Sequence, residues 1–175
     1  MPAKTNWRVI GTLILWAGFS LKVYAIQPGD PAPGLVLPAL DGDQEVRLSE
    51  LTGKIIYVDF WASWCEPCRR SLPLYEQLRN SLGNERFQIL AVNLDEDRKD
   101  AESFLKTHPV SYPVLLDPAG ESARDWTVLA MPSSYLVDSD GRLAYIYIGF
   151  EPSHIGKIEH DIKTLLERLP AIPTD

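Results

Sequence analysis

Short runs of β-branched and aromatic residues alternate along the chain with longer amphipathic stretches. The runs at 54–61 (KIIYVDFW) and 87–94 (FQILAVNL) have the length and composition of buried strands. Weaker strand signals lie at 35–37, 46–51, 113–117, 134–137 and 143–148. The turn residues Asp140 and Gly141 between the last two of these segments predict a hairpin.

Apolar residues recur at helical spacing between these strands. The predicted helices span about 65–82, 97–108, 121–128 and 153–169. Gly83 is a typical residue at the end of a helix, whereas Pro73 inside the first helix predicts a kink. Prolines crowd residues 26–41 and predict an extended segment along an edge or the surface. The whole pattern predicts one α/β domain, with a central mixed sheet flanked by helices and an N-terminal extension.

Residues 1–25 differ from the rest of the chain because they contain basic residues and no acidic residue. A basic start precedes an apolar run at 9–21, which is shorter than the roughly 20 residues that span a bilayer. The residues that follow this run fit cleavage after Ala25. We therefore expect a signal peptide at 1–25 and a folded domain at 26–175. A retained membrane anchor and a buried helix of the domain are the alternatives.

The net charge of the chain is −7, from 17 Lys and Arg residues against 24 Asp and Glu residues. Binding to nucleic acid phosphates needs a basic face, and the chain contains no basic run, so a nucleic-acid partner is excluded.

The destination of an exported chain is most simply a bacterial periplasm. In that compartment a cysteine pair can cycle between thiol and disulfide, because cytosolic thiols do not keep it reduced.

The two cysteines, Cys65 and Cys68, lie where a predicted buried strand passes into a helix. Free amides and the dipole at a helix N-terminus favour a thiolate on Cys65. Cys68 is one turn inside the helix, so we expect it to be shielded and to resolve a mixed disulfide formed at Cys65. A bridge between them closes a loop too short to add much stability. The pair is therefore predicted to serve redox chemistry.

Two other interpretations of the cysteine pair are half of a structural zinc site and an inert buried pair. A tetrahedral zinc site needs four ligands, and the remaining candidates are His108, His154 and His160. None of these histidines shows paired ligand spacing with the cysteines. We therefore expect no metal and no other cofactor.

The segment VDFWASWCEPCRRSLP at 58–73 resembles the active-site segment of the thioredoxin superfamily. The stretches ILAVNLDED at 89–97 and MPSSYLVDSDG at 131–141, with the export signal and the proline-rich extension, are similar to periplasmic thiol-disulfide oxidoreductases of the TlpA/ResA/CcmG type. The resemblance covers about 28–169 and implies a thioredoxin-like domain at 26–175. It also implies exchange with protein thiols and disulfides, and a membrane electron donor of the DsbD or CcdA type.

By this resemblance Pro132 is a cis-proline that faces the active disulfide and positions a substrate chain. An apolar rim around Cys65 would consist of Trp61, Trp64, Ala130 and Met131. Packing in the core is the favoured interpretation for Trp61 and the alternative for Trp64. The implied substrate-binding residues are Trp64, Glu66, Pro67, Ala130, Met131 and Pro132.

Asp59 stands inside an apolar strand, where an unpaired carboxylate is unfavourable. It matches the buried aspartate of thioredoxins, so the resemblance implies that Asp59 accepts the proton of the resolving Cys68. Burial raises the pKa of an aspartate, which suits proton exchange near neutrality. An aspartate at a strand end that contacts water is the alternative.

The charges around the cysteines favour a reductase. Negative charge opposes thiolate formation and favours a pair that gives electrons away. Glu66 and Asp59 supply such charge, while Arg69 and Arg70 partly offset it. Relatives in cytochrome c maturation commonly have Glu where this chain has Ser71, and this departure argues against that role.

Three other functions fit part of the pattern. A dithiol oxidase would use the same cysteine pair in the opposite direction. A thiol peroxidase shares the fold, but its family pattern has a Pro and a Thr or Ser before a single attacking cysteine. A copper-handling module of the Sco group uses CxxxC spacing, whereas this chain has CxxC. The acidic residues at 95–97 are interpreted as a solvated turn, with a docking surface as the alternative.

Overall fold

The computed structural model describes residues 25–42, 44–83 and 85–170. The strands are β1 (Val36–Pro38), β2 (Glu45–Arg47), β3 (Ile55–Trp61), β4 (Phe87–Asn93), β5 (Val114–Leu116), β6 (Ser133–Val137) and β7 (Leu143–Ile148). The α-helices are α1 (Glu66–Leu82), α2 (Arg98–Thr107), α3 (Glu121–Asp125) and α4 (Ile155–Glu167), and 3₁₀ turns cover Leu48–Leu51 and Pro152–His154. Residues 1–24, which carry the expected signal peptide up to its last position, lie outside the described residues.

A five-stranded mixed sheet forms the centre of the domain, in the order β5-β4-β3-β6-β7. The central strand β3 runs parallel to β4 and antiparallel to β6, and all of its residues are buried. Its sequence is apolar at nearly every position because both faces of the sheet are covered. The predicted α/β domain with a central mixed sheet is confirmed.

The two faces of the sheet carry separate cores. Helices α1, α2 and α4 cover one face, and the N-terminal extension and α3 cover the other. Side chains alternate along a strand, so Tyr57 and Trp61 of β3 face the three helices, while Val58 and Phe60 face the opposite side. Asp59 shares the face of Tyr57 and Trp61, which places its carboxyl beneath the helices.

The N-terminal extension runs across the domain from β7 to the β5 edge. The Gly29 N–H donates to the Leu143 carbonyl at 2.7 Å, and the Leu40 N–H donates to the Val114 carbonyl at 2.8 Å. Prolines suit this position because an edge segment needs few backbone N–H groups for pairing with a neighbouring strand. The expected edge segment is thus confirmed, and it anchors Leu35 in the second core.

The ends of two helices have local causes. Helix α1 continues through Pro73 and ends at Gly83, which has a φ of 47° and donates its N–H to the Arg79 carbonyl. Helix α3 ends at Asp125, earlier than predicted, because Thr127 adopts a φ of 54°. No helix in the described part of the chain is long and apolar enough to cross a membrane.

Candidate active site

A disulfide joins Cys65 and Cys68 at the start of α1, with the two Cα atoms 5.2 Å apart. Cys65 is the N-cap residue of the helix, and its Sγ accepts a hydrogen bond from the Cys68 N–H at 3.3 Å. Cys68 is 0% exposed, whereas Cys65 is 5% exposed and lines an open groove. A disulfide of another protein can therefore approach Cys65 but not Cys68.

The turn before Cys65 is fixed by Asp95. The Ser63 N–H and hydroxyl both donate to the Asp95 carboxylate at 3.0 Å, and the Asn93 side-chain amide donates to it at 2.8 Å. Asp95 is buried, so the prediction of a solvated turn is wrong at this residue. A buried carboxylate needs donors, and the backbone of the active-site turn supplies one of them.

The groove beside Cys65 has a volume of about 550 Å³. Of the residues that the resemblance implies for substrate binding, it is lined by Trp64, Glu66, Pro67, Ala130 and Met131. The groove is also lined by residues that the sequence analysis did not single out, namely Leu94, Ala123, Val128 and Leu129. Trp64 is 69% exposed and Leu129 is 81% exposed, so two large apolar side chains of the groove that Cys65 lines project into solvent.

The segment that carries Ala130 and Met131 ends in a cis peptide bond between Met131 and Pro132, the conformation that the resemblance implied. Pro132 itself is buried and does not line the groove. The Ser133 hydroxyl donates to the Ala130 carbonyl at 2.7 Å and holds this segment against the start of β6. The groove wall is thereby tied to the sheet.

Trp61 packs in the core, which is the favoured interpretation of this residue, and it does not belong to the apolar rim. Its side chain is buried and packs against Phe104 of α2, with the ring centroids 5.3 Å apart. The reason is its position as the last residue of β3 on the face that α2 covers. Trp64 follows β3 in the turn and is free of this packing.

Asp59 lies buried on β3, opposite Ser134 of β6 in the sheet register. The Ser134 hydroxyl donates to Asp59 Oδ1 at 2.6 Å, and Oδ2 has no hydrogen-bond partner among the described residues. Burial raises the pKa of Asp59 to about 7, although the hydrogen bond from Ser134 opposes this rise. The alternative of a water-facing aspartate is excluded, and Asp59 can exchange a proton near neutral pH.

Further hydroxyls surround Asp59 in the interior. The Tyr75 hydroxyl lies 3.5 Å from Ser134 Oγ, and the Ser71 hydroxyl donates to the Cys68 carbonyl at 3.1 Å. Burial raises the pKa of Tyr75 well above its usual value, so this side chain stays neutral. The sequence analysis missed these residues as a group. The available signal was the serine pair at the start of an otherwise apolar strand, β6.

The charged residues of the first turn of α1 lie in solvent. The Glu66 side chain is 71% exposed, and Arg69 Nε lies 3.7 Å from its carboxylate. The Arg69 guanidinium also lies 5.7 Å from the centre of the Phe104 ring. Solvent screens such an exposed pair, so Glu66 acts on the thiols less than the buried Asp59 does.

The three histidines do not join the cysteines in a metal site within the described part of the chain. No group of three or more His, Cys, Asp or Glu side chains there could hold a metal ion. His108 stacks instead on Phe104, with the ring centroids 4.4 Å apart, and His154 contacts Phe150.

Residues 27–166 match the model of the Redoxin family. This chain belongs to the redoxin family. The redoxin is 30% identical over 129 residues to the thiol-disulfide oxidoreductase ResA of Bacillus thuringiensis subsp. konkukian (strain 97-27), with 74% of each chain covered. It is 32% identical over 148 residues to the thioredoxin-like protein YneN of Bacillus subtilis (strain 168), which covers 83% of this chain and 82% of that relative.

A solved structure shows the same architecture. It is described as a thiol:disulfide interchange protein DsbE from Chlorobium tepidum and is 40% identical to this redoxin, with a TM-score of 0.77. The match covers 81% of this chain and 99% of that one. The predicted thioredoxin fold is confirmed, and so is the predicted activity: the redoxin is a thiol-disulfide oxidoreductase that uses the Cys65–Cys68 pair.

Proposed function

We propose that this redoxin is a disulfide reductase, in which the Cys65–Cys68 dithiol donates two electrons to a disulfide of another protein. The observation that carries the proposal is the arrangement of the cysteines, with Cys65 on an open apolar groove and Cys68 buried behind it. The relatives named thiol-disulfide oxidoreductases support this class of reaction. The substrates are protein disulfides, since the groove is open and apolar.

The reaction has two exchange steps. The Cys65 thiolate attacks one sulfur of the substrate disulfide, so that a mixed disulfide forms and the first substrate thiolate leaves. Cys68 then gives its proton to Asp59, and its thiolate attacks Cys65 Sγ. The Cys65–Cys68 disulfide forms, the second substrate thiolate leaves, and the substrate has gained the two electrons that the pair has lost.

The direction of electron flow follows from Asp59. A carboxylate in the protein interior disfavours thiolates near it, and thereby makes the dithiol a better electron donor. Asp59 is buried on the face of β3 that α1 covers, so this effect is not screened by water. The exposed Glu66 contributes little to this effect on the thiolates.

The proposed compartment is an exported one, such as a periplasm. A reductase there must be recharged, and the donor is a membrane protein of the DsbD or CcdA type that passes electrons across the membrane. The basic and apolar pattern of residues 1–25 supports export, by a cleaved signal peptide or a retained anchor. Residues 26–175 then form the thioredoxin-like domain.

The equilibrium redox potential of the Cys65–Cys68 pair tests the proposed direction. We expect a value near that of thioredoxin, about −270 mV, when residues 26–175 are equilibrated with thiol buffers and the oxidised fraction is measured by alkylation mass shift. A value near that of the oxidase DsbA, about −120 mV, would contradict the reductase and make the protein a dithiol oxidase. A cysteine pair that does not cycle between thiol and disulfide would contradict both the reductase and the oxidase.

The exposed apolar side chains of the groove are expected to determine which disulfides are reduced. Substitution of Leu129→Ser or Trp64→Ala should raise KM by about tenfold for a peptide whose disulfide is flanked by Leu, because each removes an apolar contact formed on binding. The value of kcat should stay unchanged. Val36→Ser is the matched control, since Val36 is also exposed but lies on β1, away from the groove. An equal change in KM for a peptide flanked by Ser would contradict the prediction.

A further inference from the structure

A line of hydroxyl groups leads to the buried carboxyl of Asp59. The Ser134 hydroxyl donates to Asp59 Oδ1 at 2.6 Å, and the Tyr75 hydroxyl lies 3.5 Å from Ser134 Oγ. All three side chains are buried. They come from β3, β6 and α1, so the fold brings together groups that are far apart in the chain.

We propose that Ser134 and Tyr75 are positioning residues of the resolving step, because their hydroxyls hold one oxygen of Asp59 and leave the other free to receive the proton of Cys68. The inference rests on the proposed function, in which Asp59 is that acceptor. It goes further because it gives Ser134 and Tyr75, which do not touch the reacting sulfurs, control of the protonation state of Asp59.

The direction of the hydrogen bonds supports this assignment. A serine hydroxyl has a single hydrogen, and Ser134 uses it on Asp59 Oδ1. Ser134 Oγ is then left as an acceptor for the Tyr75 hydroxyl. Both hydroxyl dipoles therefore point toward the carboxyl, which favours its charged form.

Burial raises the pKa of Asp59 and the hydrogen bond from Ser134 lowers it, and the balance between them decides whether Asp59 can accept a proton. Burial alone favours a permanently protonated carboxyl, which could not accept a proton from Cys68. The hydrogen bond from Ser134 lowers the pKa of Asp59, and the net value is about 7. Oδ2 makes no hydrogen bond within the described residues, so it is the oxygen available for proton exchange.

The other titratable groups that face Asp59 are tyrosines. They are Tyr57 on the same strand, Tyr75 on α1 and Tyr112 before β5, and burial raises the pKa of each, so all stay neutral near pH 7. The Tyr57 hydroxyl has no hydrogen-bond partner of ordinary length in the described part of the chain. Its neighbours still shift its pKa, since Ser134 lowers it and Tyr75 raises it. On β7, the Tyr147 hydroxyl is occupied with Asp161 of α4 at 2.7 Å. Among these carboxyl and tyrosine side chains, titration near neutrality thus belongs to Asp59.

The acid–base behaviour of Asp59 tests the inference directly. The carboxyl carbon of Asp59 can be titrated by NMR in the oxidised protein, where the cysteines do not titrate. We expect Ser134→Ala to raise the pKa of Asp59 by about one unit, Tyr75→Phe to raise it by less, and Ser134→Thr to restore it, since Thr keeps the hydroxyl. Tyr135→Phe is the matched control. It removes a buried hydroxyl of β6 that bonds the Trp126 carbonyl on the opposite face, and it should leave the pKa of Asp59 unchanged.

The rate of the resolving step supplies the second measurement. In stopped-flow reduction of a model disulfide, the rate should rise with pH with its midpoint at the pKa of Asp59. Ser134→Ala should move this midpoint upward by the shift seen by NMR and lower the rate at pH 7 by up to about tenfold. In an Asp59→Asn background, Ser134→Ala should have no further effect on the pH profile.

Two results would overturn the inference. One is an unchanged pKa of Asp59 in both Ser134→Ala and Tyr75→Phe. The other is a rate lowered equally at every pH, as a merely structural role would produce. If Ser134→Ala does not fold, Tyr75→Phe still decides, because it removes only the hydroxyl and keeps the aromatic ring that packs in the core. Failure of the proposed function is a separate outcome, since the NMR titration needs no turnover.

Discussion

Replacement of Cys65 by Ser will reduce the rate of disulfide reduction by about a thousandfold or more, because the attacking sulfur is lost. Replacement of Cys68 by Ser will instead leave a mixed disulfide on Cys65, since no second thiol is present to release the substrate. The structure predicts this difference, as Cys65 lines the groove and Cys68 is fully buried behind it. Mass spectrometry of each variant after reaction with a peptide disulfide measures the trapped adduct.

The matched control is the double variant Cys65→Ser/Cys68→Ser, which should form no adduct. Folding is not expected to confound the comparison, because the disulfide closes a loop with a sequence separation of only 3 and contributes about 2 kcal/mol or less. An adduct on Cys68 in the Cys65→Ser variant would reverse the roles of the two cysteines.

Replacement of Asp59 by Asn will stabilise the oxidised protein at pH 8 by roughly 2–4 kcal/mol. The reason is that burial raises the pKa of Asp59 from 3.8 to about 7, so folding favours its protonated form. Protonated Asp59 stabilises the fold fully below about pH 4. This stability is lost as the pH rises toward 7, because the folded protein must then hold a buried carboxylate. An amide has no charge at any pH and escapes this loss.

Urea unfolding of the two proteins between pH 4 and pH 9 measures the effect. The difference in the free energy of unfolding should grow between pH 4 and 7 and stay constant above that range. The same variant should slow the resolving step by about 100-fold at neutral pH, which is typical of the loss of a general base. A more stable but less active protein would show that Asp59 is retained for chemistry.

Asp117→Asn is the control for this substitution. Asp117 is also a buried aspartate, but its carboxylate accepts hydrogen bonds from the Glu121 N–H, the Ser122 hydroxyl and the Ala123 N–H at the start of α3. Its replacement should lower the free energy of unfolding by about 1–2 kcal/mol. If Asp59→Asn destabilised the protein in the same way, the argument from a buried and poorly bonded carboxylate would be wrong.

The order of the strands and helices along the chain followed from the local pattern of residues. β3 and β4 are short apolar runs, and α4 has a continuous apolar stripe, so each could be predicted within a few residues. The same holds for the cysteine pair, because two thiols at the start of a helix form a local motif. Asp59 also stood out, since a charged residue inside an apolar strand is unusual in any fold.

Contacts between distant segments could not be predicted in this way. The sequence favours core packing for Trp61 and not for Trp64, but it does not identify Phe104 of α2 as the side chain that packs against Trp61. Asp95 resembles its acidic neighbours, but the turn at Ser63 packs against it and supplies its donors. Leu129 became part of the groove because its segment lies beside the start of α1.

The sequence by itself determined the fold class, the two reacting cysteines and the buried aspartate, because each depends on residues that are neighbours in the chain. Only the tertiary structure decided what surrounds them. The hydrogen bond between Ser134 and Asp59 spans 75 positions of the chain and exists because β3 and β6 pair in one register. Periodicity and composition report how single segments are buried, whereas the register of a sheet depends on how all of its strands pack together.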